Sequence, residues 1–297
     1  MNPRLERLKK KPHRLKGAKN PCKGPLQNFE EQVEPDWWEK IFNFYYLKTD
    51  ADLVEDEKIT KQEVDFFAKI LSLKKQDRFL DLCCGQGRHS LGLAAQGFLN
   101  FVGLDRSRYL IQKARSRAKK MNLPALFKEG DARKLPFGSE SFDYVLILGN
   151  SFGYLKDQTE DLTILSEVWR VLKKGGKLLV DITDGEYIRQ FFEPRSWEWI
   201  DQHWFVCRER ELSSNKDRLI SREIITQVEK GVKVDQFYAE RLYSFAEMEK
   251  LLQNATFHLV QSHKIWEANS ARNMDYGMMR RRMIITAKKE EKKNVQL

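Results

Sequence analysis

Asp81, Gly85, Gly87, Asp105 and Asp131 are the residues of this chain whose types and spacing could do chemistry together. The first three lie in FLDLCCGQGRHS, residues 79–90, where an apolar run meets a glycine pair and then a polar stretch. Glycine there allows a tight turn and lets a ligand come against bare backbone. A helix opening near Arg88 would aim its free N–H groups back at the same loop. Asp105 closes the next apolar run, 20 residues after Gly85, where a carboxylate can accept both hydroxyls of a ribose. Asp131 ends a third run in EGDARKLPF and can accept an adenine amino group. Asp81 sits inside the first run, four residues before Gly85. A dinucleotide loop has no use for an acid there, whereas a ligand carrying an ammonium group does. Ser90 stands where the third glycine of a dinucleotide fingerprint would be. The set reads as a pocket for one nucleoside with an amino-acid-like tail.

The elements that must position these residues follow from hydrophobic period. RFLDLCC, NFVGLD, ALFKEGD, FDYVLIL and KLLVDIT are short, mostly continuous apolar runs. Helical patterns separate them: HSLGLAAQG, YLIQKARSRAKKMN and DLTILSEVWRVLKK. Buried parallel strands alternating with helices predict a doubly wound α/β sheet. Helical spacing also covers PDWWEKIFNFYYL to EVDFFAKILSL, ahead of the first strand. After Thr183 the rhythm changes. WEWIDQHWFVCRERELS, RLISREIITQVEK and VKVDQFYAERLYS predict three long antiparallel strands, turning at Asn215-Lys216-Asp217 and Lys230-Gly231. A helix, FAEMEKLLQNA, and two strands, FHLVQSHKIW and RRMIITAKK, complete the chain.

With its five motif segments in order, the chain resembles the class I (Rossmann-like) S-adenosylmethionine (SAM) dependent methyltransferases. The resemblance rests on FLDLCCGQGRHS, FVGLDRS, FKEGDARKLPF, FDYVLILGNSFGYL and RVLKKGGKLLVDIT, and spans roughly Leu47 to Lys288. It implies a seven-stranded, mostly parallel sheet with an antiparallel last strand, and an antiparallel β insert after strand five. It also implies that Asp81, Cys83, Gly85 and Gly87 hold the methionine part, Asp105 and Arg106 the ribose edge, and Asp131 and Ala132 the adenine. Gly149 and Asn150 would lie near the sulfonium. Arg88 reads equally as a partner for the ligand carboxylate or as a surface arginine. His89 reads as a packed or capping histidine rather than a base, and Asp105 has the competing reading of a helix cap. The insert is similar to the lid of small-molecule N- and O-methyltransferases. Most aromatics outside the sheet read as packing; Tyr45, Tyr46 and Tyr238 are taken to line the acceptor pocket.

Methyl transfer from a sulfonium is an in-line displacement with an activated leaving group, so positioning does most of the work. No catalytic triad or carboxylate pair is required, and no catalytic residue is assigned. The segment after strand four reads NSFGY, without the prolines of nucleic-acid amino-methyltransferases or the cysteine of cytosine C5 enzymes. A small-molecule acceptor is the leading expectation, with RNA or protein as the alternative acceptor and a SAM-binding interaction module as the non-enzymatic alternative. An NAD(P)-dependent oxidoreductase is opposed by Ser90 and Asp81.

The net charge of +10 is concentrated at the ends. Residues 1–24 carry nine basic side chains against Glu6, and residues 288–293 four against two, which leaves the body close to neutral. Residues 1–28, with four prolines, are expected to form a disordered basic arm. Its sharper reading is a contact for nucleic acid or an acidic partner. Residues 29–288 would be the methyltransferase domain, with 185–243 as insert or lid, and 289–297 a charged tail. Four cysteines without a CxxC pair, and five histidines without ligand spacing, predict no metal. No apolar run approaches the ~20 residues of a membrane span, so a cytoplasmic protein without membrane contact is expected.

Overall fold

The computed structural model describes residues 22–267 and 276–290. The chain opens with three short helices, α1 (Trp37–Lys40), α2 (Phe44–Thr49) and α3 (Ala51–Val54), and a longer one, α4 (Glu57–Leu71). The sequence period suggests longer helices in the first part. Asn43 breaks that continuity by accepting the Tyr45 N–H at 2.8 Å, the local bond with which Asn competes against a continuing helix.

The alternating part follows as β1 (Phe79–Leu82), α5 (Arg88–Ala95), β2 (Phe101–Asp105), α6 (Arg108–Lys120), β3 (Leu126–Glu129), β4 (Phe142–Ile147), α7 (Gln158–Val171) and β5 (Leu172–Thr183). After the insert come α9 (Phe245–Asn254), β10 (His258–Glu267) and β11 (Arg281–Lys288). These strands form one seven-stranded sheet in the order β10-β11-β5-β4-β1-β2-β3. All neighbours are parallel except β11, which runs antiparallel to both β5 and β10. The predicted doubly wound sheet is therefore present. Its strands are continuously apolar because both faces are covered. Leu80, Leu82, Val145 and Ile147 pack with α7 and α9, while Phe79, Phe101 and Leu146 pack with α4, α5 and α6.

The insert is α8 (Gly185–Phe191) and a four-stranded antiparallel sheet, β6 (Arg195–Asp201), β7 (Trp204–Leu212), β8 (Arg218–Gln227) and β9 (Gly231–Arg241). The first predicted long strand is two strands. They turn where Asp201 accepts the His203 N–H at 2.8 Å, a side-chain turn made without glycine or proline. The other two turns fall at the predicted positions.

Alternation gives this small sheet two different faces. Arg208, Arg210, Ser221, Glu223, Tyr238 and Glu240 share the inner one, toward the large sheet. Phe237 and Ala239 share the outer one, which residues 22–33 cover. The Lys23 N–H donates to Asp235 at 2.9 Å, Arg222 donates to the Gly24 carbonyl at 2.6 Å, and Phe29 packs on Phe237. Residues 22–28, assigned to the arm from sequence, are thus bound along the insert. Residues 1–21 and 291–297, which carry most of the predicted arm and tail, lie outside the described residues. Among the described residues, no helix is long and apolar enough to cross a membrane.

The two ends of the insert meet at Gly185, whose N–H donates to the Tyr243 carbonyl at 2.9 Å. A Cβ at residue 185 would lie 2.6 Å from the Tyr243 backbone N and O. Gly185→Ala must therefore spread the base of the insert. The expected cost is about 1–3 kcal/mol, read as a lower midpoint in chemical denaturation. An unchanged midpoint would show that the junction yields freely.

Candidate functional site

β1 lies between β2 and β4, so helices leave it and its neighbours on opposite faces of the sheet. A crevice must open at the carboxyl ends of these strands. A cavity of about 220 Å³ lies there, bounded by the 83–87 turn, the ends of β2 and β4, helices α1–α3 and the inner face of the insert.

The turn is built from left-handed backbone. Cys83, Gly85 and Gly87 have φ of 59°, 54° and 76°. A side chain at Gly87 would meet the Phe127 ring at 2.7 Å. Cys83 adopts the same region as a non-glycine, which costs roughly 1–2 kcal/mol; it borders the cavity, as does the more deeply buried Cys84. Asp105 holds the turn from below: its Oδ2 accepts the Gly85 N–H at 2.8 Å and its Oδ1 the Ser107 N–H at 2.7 Å. Ser107, not Asp105, is the N-cap of α6. Burial pushes the Asp105 carboxyl up to about 6, against the pull of the two N–H groups.

Asp105, Arg106, Asp131, Ala132, Gly149 and Asn150 all reach the cavity wall, as do Cys83, Gly85 and Arg88. Asp131 is engaged by Arg133 at 2.7 Å, which holds its carboxyl below the ordinary value despite partial burial. Arg106 pairs with Glu39 at 3.1 Å. Gly87 lies behind the wall. So does Asp81, to which the sequence assigns a ligand ammonium. The Ser90 hydroxyl donates to Asp81 Oδ2, and the pair is buried under the turn. The serine in the third glycine position thus supports the acid of β1. Tyr46 and Tyr238 line the cavity, but Tyr45 packs on Phe44 and Trp204 instead. Trp37 lies 5.8 Å from Tyr238 and 5.4 Å from Tyr154, and Phe42 stacks on Tyr154, so the wall opposite the turn is aromatic.

Arg88 is not a surface arginine, and it reaches the cavity wall. Its side chain is buried; it donates to Glu63 and, at 3.2 Å, to Thr60, while its Nη2 has no hydrogen-bond partner. Glu63, buried on α4, also takes Arg282 of β11 and lies 3.0 Å from His89 Nε2. Arg282 pairs in turn with Asp181 of β5, and Asp181 Oδ2 accepts the Gly149 N–H at 3.0 Å. Burial alone would raise the Glu63 pKa, but Arg88, Arg282 and His89 hold it well below the ordinary value. Burial and the adjacent guanidiniums drive His89 down to about 4, so it is a neutral structural partner. Periodicity does not reveal Glu63, which stands beside Val64 on the buried stripe of α4.

Glu240 is the second group the sequence does not single out. It lines the cavity from the insert, and its Oε1 accepts the Asn150 Nδ2–H at 3.0 Å. Asn150 Oδ1 meanwhile accepts the Thr183 N–H at 2.9 Å, so one amide joins β4, β5 and the insert. Burial, with Asp50 adding to it, pushes the Glu240 carboxyl up to about 8.

The family model described as "Methyltransferase domain" matches residues 79–176, the segment from β1 to the start of β5. The Bacillus subtilis (strain 168) protein YqeM, named as a methyltransferase, is 29% identical over 212 residues, covering 69% of this chain and 84% of its own. These findings support a class I SAM-dependent methyltransferase. A demethylmenaquinone methyltransferase of Bacillus cereus (strain AH187) is 31% identical over 159 residues, 52% of this chain and 63% of that one. A SAM-dependent methyltransferase structure from Clostridium acetobutylicum ATCC 824 shares the fold, with a TM-score of 0.66 and 19% identity over 83% of this chain and 98% of that one. The methyltransferase takes SAM as its methyl donor.

Two outcomes follow for this methyltransferase. Glu63→Ala strands Arg88 and Arg282 without their shared carboxylate, and is expected to cost about 3–5 kcal/mol of stability in urea denaturation. A loss below about 1 kcal/mol would mean that the guanidiniums re-pair. Glu240 has a folded pKa above its unfolded value, so its proton stabilises the fold below the unfolded pKa, and that contribution is lost as pH rises toward 8. Glu240→Gln should therefore gain thermal midpoint relative to the wild type between about pH 5 and pH 8, levelling above. A constant difference would contradict the burial of that carboxyl.

Proposed function

We propose that this enzyme methylates a small polar molecule held between the SAM site and the inner face of the insert. The supporting observation is one continuous cavity from the 83–87 turn to Tyr238 and Glu240. Its enclosure by α1–α3 and the insert suits a metabolite-sized acceptor better than a polymer.

When bound, SAM supplies a methyl group on a sulfonium that leaves as a neutral thioether. The described residues fit such a ligand. The unpartnered Arg88 Nη2 offers a buried donor to the carboxylate of the amino-acid tail. The left-handed turn at Cys83, Gly85 and Gly87 presents backbone to that tail. Each Asp105 oxygen takes one N–H and so retains acceptor capacity for a ribose hydroxyl, with Arg106 at the same edge. Asp131 and Ala132 would border the adenine, and Gly149 and Asn150 the reacting end. Asp81 acts beneath the turn, through Ser90. Tyr46 and Tyr238 would face the acceptor. The insert, residues 185–243, serves as the lid of a domain covering residues 29–288. The four cysteines are free thiols, which supports a reducing, cytoplasmic setting.

Arg88→Met and Asp105→Ala should each weaken binding of S-adenosylhomocysteine by roughly 10- to 100-fold, the worth of a hydrogen bond to a charged group. Isothermal calorimetry on the purified chain measures this directly. Unchanged affinity in either variant would remove that residue from the donor site.

A further inference from the structure

We propose that the acceptor is an amine that enters as an ammonium ion, and that Glu240 binds it and takes its proton. This rests on the donor site proposed above and names the chemistry of its partner.

The charges around the acceptor chamber carry the argument. Arg208 is already surrounded by carboxylates: Glu223 at 2.9 Å, Glu198 at 2.8 Å and Asp50 at 3.9 Å. Arg210 donates to the Glu193 carbonyl at 2.9 Å and is otherwise engaged. Its charge favours the ionised form of Glu240, but the described residues show no hydrogen bond between the two. Glu240 is 8% exposed, and its single hydrogen bond is the neutral Asn150 amide on Oε1. Its second oxygen has no partner among the described residues. An ionised carboxylate buried in this way is costly unless a cation reaches it. Among the described residues, the groups facing it are Asn150 from the end of β4, Tyr154 from the loop that follows, Asp50 beside α3, and Arg210 and Tyr238 from the same sheet.

An ammonium group supplies the missing charge. Trp37 and Tyr238 offer aromatic faces beside it, which also favour a cation. A hydroxyl acceptor brings no charge, and an anionic one would meet Asp50, Glu223 and Glu240. Position agrees with charge, since Asn150 ties Glu240 to the strand end beside Gly149. The proton step balances simply. One ammonium N–H proton passes to Glu240 Oε2, and the nitrogen regains its lone pair. The nitrogen then bonds to the methyl carbon while the carbon–sulfur electron pair stays on sulfur. The positive charge lost by the sulfonium appears on the methylated nitrogen.

The test uses the full chain saturated with S-adenosylhomocysteine and probes that differ only in amine against hydroxyl: glucosamine and glucose, ethanolamine and ethylene glycol, benzylamine and benzyl alcohol. Calorimetry should find the amine of at least one pair bound about tenfold or more tightly than its hydroxyl partner. Glu240→Gln should abolish that preference and leave S-adenosylhomocysteine binding within about twofold, which also verifies its fold. Titrations near neutral pH in buffers of different ionisation enthalpy should show proton release on amine binding by the wild type and none by Glu240→Gln. A structural role alone would not produce that release. Equal binding of the hydroxyl partners, no binding by any of the amines, or an undiminished preference in Glu240→Gln would overturn the proposal. If S-adenosylhomocysteine itself fails to bind, the donor site fails first.

Discussion

The site depends on a buried ion chain that runs across the large sheet. Arg282, on β11, lies between Asp181 and Glu63, and Glu63 passes the link to Arg88. Taking these charges out of water is expensive, and only dense mutual pairing offsets that cost. The pairing is possible because β11 runs antiparallel beside β5 and so brings Arg282 next to Thr183, close to Asp181. The same chain places two groups on the cavity wall. Asp181 orients the Gly149 N–H, and Glu63 holds Arg88 with one guanidinium nitrogen left unpartnered.

The second constraint is the two-faced insert. Its inner face is charged, and its outer face, where Phe237 and Ala239 sit beside the Arg222–Asp235 pair, is covered by residues 22–33. Charge on the inside is tolerable because the inner face borders a cavity rather than a packed interior, and because most of the charges pair with one another. Gly185 and Asn150 anchor this sheet at two points, one at its base and one at its working edge. The cavity walls supplied by the large sheet and by the insert are thereby held in one frame.

What could be read along the chain was local. Apolar runs of strand length separated by helical periods specified the doubly wound sheet, and the glycine turn followed by acids at strand ends located the cavity. These relations span a few residues within single elements, and local sterics and hydrophobic period govern them. Asn43 and Asp201 show the edge of that reach, because a side-chain bond to the backbone can interrupt a helix or turn a strand without a glycine or proline to mark it.

The sequence by itself determined the sheet, the left-handed turn and the presence of Asp105 and Asp131 at strand ends. Tertiary structure alone decided which polar groups satisfy each other. Ser90 turned Asp81 away from the cavity, over a separation of 9 residues. Glu63 met Arg282 over 219 residues, and Asn150 met Glu240 over 90. A charge or amide has no periodicity, and its energy is set by whatever the folded chain places within a few ångströms. The partners of these groups, and with them the character of the cavity, were therefore fixed only by the order of the strands and the folding of the insert over them.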